Sequence, residues 1–314
     1  MRILKPLILI LVLLLCCTAA QAQAVYDLQE DNIRADTEYL SNVIGVRVTG
    51  TPKEREAADW IMQRLGSMGY SEAEGTLSRV GFQGLKDLTS ENIIAAINRN
   101  AGLPLFSIVA HYDSVATTLG ARDNAASIAI LLEMARYMSE NGGPEGCEVR
   151  LVVLGSEENC YHGAHANFRG LSETDWARHT AAFNMDVSIA SPSDNAQLVM
   201  NMLGGKNKDG VCVDAAYLPV LSNIVTEHVS EAYMELYGMQ PGAIFYHGES
   251  DHLPFQEGGL EAANVCWRRI VDNRPVMPSN YHTMDDTTEG LDYSTAVTSA
   301  RCVLRAIDLI MEDF

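Results

Sequence analysis

The chain has 314 residues, of which 47% are hydrophobic and 20% charged, a balance that supports a buried core and excludes a disordered or collagen-like polypeptide. Its 41 acidic residues outnumber its 22 basic residues and give a formal net charge of -19. Because phosphate binding requires a field of Lys and Arg, this charge argues against nucleic acid as a partner and against binding to anionic membranes.

Residues 1–22 have the pattern of a secretory signal peptide. Two basic residues precede an apolar run over residues 6–15, and Ala20-Gln21-Ala22 offers small residues at the positions that a signal peptidase reads. The run is shorter than the about 20 apolar residues of a membrane-spanning helix. We therefore expect cleavage, no stable membrane insertion afterwards, and a secreted or periplasmic domain of residues 23–314.

The cysteines favour neither a lipid anchor nor a local disulfide bond. Cys16 and Cys17 offer a site for lipid attachment, where a small residue is expected before the cysteine. Cys16 instead follows a leucine, and Cys17 follows a cysteine. Cys147 and Cys160 flank a predicted strand at 148–155 and are expected to lie too far apart to bond. Cys160 is interpreted as a buried, inert thiol.

The spacing of apolar residues predicts strands that alternate with helices. A capping-box pattern starts the first helix at Thr51, and helical spacing continues to Gly69. Further helices are predicted over residues 124–140, 164–170, 218–237 and 293–312. Strands are predicted over residues 92–97, 105–110, 148–155, 181–185, 197–203 and 262–267, the first two being neighbours. This alternation indicates a single α/β domain with a mostly parallel central sheet and helices on both faces.

Several of the predicted strands deliver metal-binding side chains at their carboxyl ends. His111 follows the second strand, Glu157 and Glu158 follow the third, and Asp186 follows the fourth. In an open parallel sheet, ligands bind in the crevice beyond these ends. We therefore expect the four side chains to lie close together.

Two further candidates complete a metal-binding set. Asp123 follows a turn that Gly120 permits, at the start of a helix, and His282 lies near the carboxyl end of the chain. Two histidines and three carboxylates suit a borderline cation with nitrogen and oxygen ligands. Two such ions that share a bridging carboxylate require five protein ligands, so the set predicts two zinc ions.

Five motifs in this order resemble those of peptidase family M28, the di-zinc aminopeptidases that include secreted bacterial enzymes. The matching segments are His111-Tyr112-Asp113-Ser114, Gly120-Ala121-Arg122-Asp123-Asn124-Ala125-Ala126-Ser127, Glu157-Glu158, Asn184-Met185-Asp186 and Tyr281-His282-Thr283. The resemblance implies a zinc-exopeptidase-like fold. It also implies that His111 and Asp186 hold one zinc ion, that Glu158 and His282 hold the other, and that Asp123 bridges both.

The same resemblance implies roles for residues around the metal ions. Glu157 would be the general base toward a hydroxide shared by the two ions, Asp113 would orient the first histidine, and Tyr281 would stabilise the oxyanion. The segment Ser250-Asp251-His252 is similar to a supporting motif of the family. Asp286 either supports His282 or is a solvated turn carboxylate.

The leading hypothesis is a secreted zinc aminopeptidase that removes the N-terminal residue of peptides. A glutaminyl cyclase-like enzyme, a carboxypeptidase-like enzyme and a non-catalytic receptor-like ectodomain of the same fold remain as alternatives. The cyclases resemble single-zinc enzymes, and a receptor is expected to lack ligands, whereas all five are present here. Arg268, Arg269 and Arg274 would recognise a carboxylate if they line the cleft, and are surface charges otherwise.

Overall fold

The computed structural model describes residues 26–84, 87–202, 222–246 and 250–314. The predicted signal peptide, with Cys16 and Cys17, lies outside these residues, as does the start of the helix predicted from residue 218. Within the described residues, no helix combines the length and the apolar character needed to span a bilayer.

Helices and strands alternate along the described chain, as the apolar spacing predicted. The helices are α1 Glu30–Glu38, continued by a π-helical turn at Tyr39–Ile44, α2 Pro52–Ser67, α3 Ala126–Asn141, α4 His162–Arg169, α5 Glu173–Arg178, α6 Ile224–Tyr237, α7 Leu253–Glu257 and α8 Tyr293–Glu312. The strands are β1 Leu77–Gln83, β2 Thr89–Ile97, β3 Leu105–His111, β4 Glu148–Leu154, β5 His179–Asn184, β6 Gln197–Met202, β7 Ala243–Tyr246, β8 Ala262–Val271 and β9 Arg274–Val276.

The described strands form one nine-stranded sheet in the order β1-β2-β4-β3-β5-β8-β6-β7, with β9 paired to β8. The four central strands β4, β3, β5 and β8 are mutually parallel. Antiparallel pairing of β2 with β4 and of β6 with β8 bounds this group on both sides. The sheet is therefore mixed, with a parallel centre whose carboxyl ends meet at one edge.

One prediction about strand order is wrong, because β2 and β3 are not neighbours. β4 lies between them, antiparallel to β2 and parallel to β3. The segment at 98–104 passes the amino end of β4, since Ile97 pairs with Val149 and Leu105 pairs with Glu148. Apolar patterning marks each strand as buried but carries no information about which strand lies beside it.

Helices cover both faces of the sheet, as predicted. Ile108 of β3 contributes to a large core that includes residues of α1, α2, α3, α6 and α8. The next residue, Val109, points to the opposite face and packs in a second, smaller core with Ala164 of α4 and Phe255 of α7. Alternation along a buried strand therefore supplies apolar side chains to both layers.

The first turn of α2 shows how local sequence starts an element. The side chain of Thr51 accepts a hydrogen bond from the backbone N–H of Glu54, as the capping-box pattern predicts. The carboxylate of Glu54 does not return to Thr51 but accepts from the N–H of Gly50 at 2.6 Å. Both contacts satisfy donors near the start of the helix.

Candidate active site

The predicted site residues lie at the carboxyl edge of the parallel strands. His111 is the last residue of β3, and its backbone pairs with Leu154, the last residue of β4. Glu157 and Glu158 follow β4 in the turn beyond it, and Asp186 follows β5. The parallel register therefore delivers these four side chains to the same edge.

A tight turn delivers Asp123 to the same place. Gly120 precedes it with φ at +60°, and a Cβ at Gly120 would lie 2.5 Å from the carbonyl oxygen of Asp123. Only glycine adopts this conformation without strain and without that contact. The backbone N–H groups of Arg122 and Asp123 donate to the two carboxylate oxygens of Asp286 at 2.9 and 3.2 Å.

The structure brings the five predicted ligand residues together around the carboxylate of Asp123. Its Oδ1 lies 3.3 Å from Nε2 of His111, and its Oδ2 lies 3.1 Å from Nε2 of His282. The same nitrogen of His111 lies 3.7 Å from Oδ1 of Asp186, and that of His282 lies 3.3 Å from Oε2 of Glu158. Two groups of three side chains therefore share Asp123.

Buried polar atoms in this cluster lack hydrogen-bond partners within the described chain. They are Oδ2 of Asp123, Oε1 of Glu158, Oδ1 of Asp186 and Nε2 of His282. A buried carboxylate without a partner is strongly unfavourable, so these atoms fit ligands for cations. Imidazole nitrogens and carboxylate oxygens are the donor set that Zn²⁺ takes in catalytic sites.

Burial and mutual charge shift the pKa values of the cluster. Burial raises the pKa of Glu158 to about 7 and raises that of Glu157 well above its ordinary value. For Asp123, the neighbouring imidazoles outweigh burial and lower the pKa. Asp123 and Glu158 raise the pKa of His282 to about 10, and the carboxylates around His111 raise its pKa despite burial. The cluster therefore retains protons that a bound cation would displace.

Asp113 ties the first histidine to the turn that carries both glutamates. Its Oδ1 lies 3.4 Å from Nδ1 of His111 and accepts from the N–H of Glu157 at 3.0 Å. Its Oδ2 accepts from the N–H of Glu158 at 3.2 Å and from the hydroxyl of Thr49 at 2.9 Å. The Nδ1 of His111 also lies at hydrogen-bond distance, 3.2 Å, from the backbone carbonyl oxygen of Asp113, so this fully buried residue holds three of the candidate site residues.

Tyr281 and Asp286 occupy different positions around the site. The ring of Tyr281 stacks on that of His282, with 3.8 Å between centroids, and burial among carboxylates raises the pKa of its phenol. Asp286 is 1% exposed, which excludes the solvated-turn interpretation, and its oxygens hold the turn before Asp123. Burial raises the pKa of Asp286 to about 6.

The segment Ser250-Asp251-His252 lies beside the site. The hydroxyl of Ser250 donates to Oδ2 of Asp186 at 2.8 Å and accepts from the side-chain amide of Asn184 at 2.6 Å. Asp251 is fully buried, neither of its oxygens has a hydrogen-bond partner in the described chain, and burial raises its pKa. The role of Asn184 could not be predicted from the sequence, because a contact with a residue 66 positions away leaves no local pattern.

A cavity of about 430 Å³ opens onto the candidate ligands. It is lined by Glu157, Glu158, Cys160, Tyr161, Asp186, Asn201, Phe245, Asn264, Arg268, Pro275, Met277, Tyr281 and His282. The expectation that Cys160 is buried is wrong, because this thiol is exposed at the cavity. Of the three arginines considered, Arg268 lines the cavity, whereas Arg269 and Arg274 are exposed outside it.

Comparison with known proteins gives one family match and several relatives. Residues 92–307 match the sequence profile of peptidase family M28. Aminopeptidase YwaD of Bacillus subtilis is 30% identical over 272 residues, which cover 86% of this chain and 52% of YwaD. The alkaline phosphatase isozyme conversion protein of Escherichia coli is 26% identical, over 50% of each chain. The chain thus spans about half the length of these relatives.

Solved structures show the same fold at lower sequence identity. A zinc aminopeptidase from Bacillus subtilis superimposes with a TM-score of 0.75 at 18% identity, over 90% of this chain and 95% of that one. A glutaminyl cyclase from Porphyromonas gingivalis superimposes with a TM-score of 0.67 at 19% identity, over 90% and 99%. The shared fold therefore includes proteins described as hydrolases and as cyclases.

Proposed function

The chain belongs to peptidase family M28, as its motifs predicted, and on that premise we propose that it is a secreted di-zinc aminopeptidase. It would hydrolyse the N-terminal peptide bond of peptides. Secretion rests on the signal-peptide pattern of residues 1–22. The family membership makes a peptide the expected substrate. The arrangement of the site supports an aminopeptidase over the other activities that share this fold.

The observation that carries the proposal is the position of Asp123 between two imidazoles. Each of its oxygens lies within 3.3 Å of a different histidine nitrogen, and each of those histidines has a further carboxylate nearby. This arrangement supports one zinc ion held by His111 and Asp186, a second held by Glu158 and His282, and Asp123 between them. Zinc ions bound here would polarise the peptide carbonyl and lower the pKa of the attacking water.

Glu157 is the proposed general base. Its carboxylate lines the cavity, and its Oε2 lies 4.0 Å from Nε2 of His111, farther than the carboxylate oxygens of Asp123 and Asp186. The raised pKa of Glu157, which burial causes, favours a carboxylate that takes a proton from water and later gives it to the leaving amine. Asp113 holds the backbone of Glu157 and keeps this group at the cavity wall.

Tyr281 is the proposed donor to the developing oxyanion. Burial keeps its phenol protonated, so it can donate a hydrogen bond, and its stacking on His282 fixes the ring beside the site. The carboxylate of Glu157, which is not a proposed zinc ligand, also lines the cavity and favours a substrate that presents an ammonium group there. This preference supports amino-terminal rather than carboxy-terminal hydrolysis.

The presence of all five candidate ligands favours an aminopeptidase over a glutaminyl cyclase. The resemblance implies a single zinc ion for the cyclases, whereas the carboxylate of Asp123 belongs to two groups of donors. A non-catalytic ectodomain is disfavoured because Glu157 is present and lines the cavity.

A panel of peptides with free and acetylated amino termini tests the proposal on the chain from residue 23 to 314. We expect about two zinc ions per chain, release of the N-terminal residue from free peptides alone, and loss of activity on chelation that added zinc restores. Cyclisation of an N-terminal glutaminyl peptide without hydrolysis would establish the cyclase instead. A folded preparation that binds no divalent metal would contradict both enzymes.

A further inference from the structure

Arg268 lies on the same face of the sheet as the candidate metal ligands. On β8, Val265 and Trp267 point into the large core, so Asn264 and Arg268 point to the opposite face. The side-chain oxygen of Asn264 accepts from the backbone N–H of Asp186 at 3.1 Å. Arg268 lies four positions after Asn264 on the strand, so their Cα atoms are about 13 Å apart. Both side chains line the same cavity.

The guanidinium of Arg268 is buried but has almost no protein partners in the described chain. The residue is 5% exposed, and its Nη1 donates one hydrogen bond, to the backbone carbonyl of Trp267 at 3.2 Å. Two other buried arginines have more partners: Arg47 donates to five backbone carbonyls, and Arg122 pairs with Asp194 at 2.6 Å. No described carboxylate lies within 4.0 Å of the Arg268 guanidinium.

A guanidinium that lines a cavity attracts a ligand that carries negative charge. The residue that pairs with Arg268 on β6 is the uncharged Gln197, whereas Asn201 pairs with Asn264, at the other end of this run. The acidic side chains of the lining belong to the candidate metal site, at the other end of the run from Asn264 to Arg268. The guanidinium fork is suited to bidentate binding of a carboxylate.

We propose that Arg268 binds a carboxylate of the substrate, so that the enzyme prefers peptides that present a carboxylate at this end of the cavity. This inference rests on the proposed aminopeptidase function, since the scissile bond is taken to lie at the metal end of the cavity. The carboxylate comes either from the side chain of an N-terminal Glu or Asp, or from the free carboxyl terminus of a dipeptide. Both sources present the same chemistry to Arg268. Pairs of substrates that differ only in one carboxylate distinguish the two sources.

Two pairs of substrates test the proposal on the zinc-loaded enzyme. The first pair compares Glu-Ala-Ala-amide with Gln-Ala-Ala-amide, which differ in the side-chain carboxylate alone. The second pair compares Leu-Gly with Leu-Gly-amide, which differ in the terminal carboxylate alone. We expect kcat/KM to favour the acid over its amide at least tenfold in one pair, mainly through a lower KM, and that pair identifies the source.

The variant Arg268→Gln should abolish this preference. Its kcat/KM for the amide of the same pair should stay near the value of the unsubstituted chain. Arg269→Gln is the matched control, because it removes an exposed positive charge from the neighbouring position. Arg268→Lys keeps the charge but loses the planar fork, and should retain part of the preference. A preference that survives Arg268→Gln unchanged would overturn the proposal.

Binding separates this proposal from the proposed activity. L-glutamate should raise the melting temperature of the zinc-loaded chain more than L-glutamine if the side-chain pair shows the preference, and glycylglycine more than its amide if the terminal pair does. Arg268→Gln should remove the difference. If neutral peptides are cleaved but neither pair shows a preference, the carboxylate site is refuted and the aminopeptidase stands. If no peptide is cleaved and Arg268 still determines binding of a carboxylate, the site stands and the activity fails.

Discussion

The carboxylate of Asp286 accepts a hydrogen bond from the backbone N–H of Asp123 at 3.2 Å, although 163 residues separate the two along the chain. Its second oxygen accepts from the N–H of Arg122 at 2.9 Å. Asp286 therefore positions the turn that carries the proposed bridging ligand. It supports the site although it does not line the cavity.

Asp286→Asn should weaken zinc binding and lower turnover. An amide offers one acceptor oxygen where the carboxylate offers two, so one of the N–H groups of the turn loses its partner. Substitutions of residues that support metal ligands typically reduce metal affinity or activity by about 10- to 100-fold. Zinc titration and kcat/KM for a neutral peptide measure the effect. The exposed neighbour Asp285 provides the control Asp285→Asn, and equal behaviour of the two variants would contradict a positioning role.

Glu157→Gln should retain both zinc ions and lose most of its turnover. The amide keeps the shape of the side chain but cannot take a proton from water, and a general base typically contributes about 100- to 10,000-fold in rate. Metal analysis and steady-state kinetics together distinguish this variant from Asp123→Ala, which should lose zinc as well. Glu145→Gln, at an exposed position, is the control. Hydrolysis by Glu157→Gln at the unsubstituted rate would refute the assignment of the base.

Much of the candidate site could be predicted because its residues follow buried strands. His111, Glu157 and Asp186 stand where the apolar runs of β3, β4 and β5 end, and the parallel register of these strands places them at one edge. The apolar pattern could not give the order of β2, β4 and β3, since every buried strand has the same composition.

Residues that act through long-range contacts were harder to predict. Asp286 gives no local signal, because the groups that it binds come from a turn more than 160 positions earlier. The residue type of Cys160 predicts burial, but the residue lies in a turn and lines the cavity. Strand β1 was missed because most of its residues are exposed or half-buried and give little apolar pattern.

Gly120→Ala should destabilise the fold and the metal site together. Alanine at φ of +60° costs about 1–2 kcal/mol, and its Cβ would lie 2.5 Å from the carbonyl oxygen of Asp123 and 2.9 Å from Nη2 of Arg47. Chemical denaturation measures the loss of stability, and zinc titration measures the effect on the site. Gly69 also has positive φ, at +95°, but open space around it. Gly69→Ala should therefore lose stability without losing zinc affinity, and a normal zinc affinity in Gly120→Ala would contradict the role of the turn.

Glu54 should make the folded chain less stable as the pH rises from about 5 to 8. Burial raises its pKa from 4.5 to about 7, although hydrogen bonds from Ser90 and the backbone of Gly50 oppose the shift. Between these two values the folded chain holds a proton that the unfolded chain has released, so the free energy of unfolding falls with rising pH. The full shift corresponds to about 3 kcal/mol.

Glu54→Gln removes this titration and keeps an acceptor oxygen for the N–H of Gly50. Urea denaturation at pH 5 and pH 8, with a chelator present throughout so that metal binding does not contribute, measures the difference. We expect the variant to be more stable than the unsubstituted chain at pH 8, with an advantage about 1–3 kcal/mol larger there than at pH 5. Glu74→Gln, at an exposed position, should follow the unsubstituted chain at both values. An advantage of Glu54→Gln that does not change with pH would show that Glu54 does not titrate in this range, because a change in packing alone acts equally at both values.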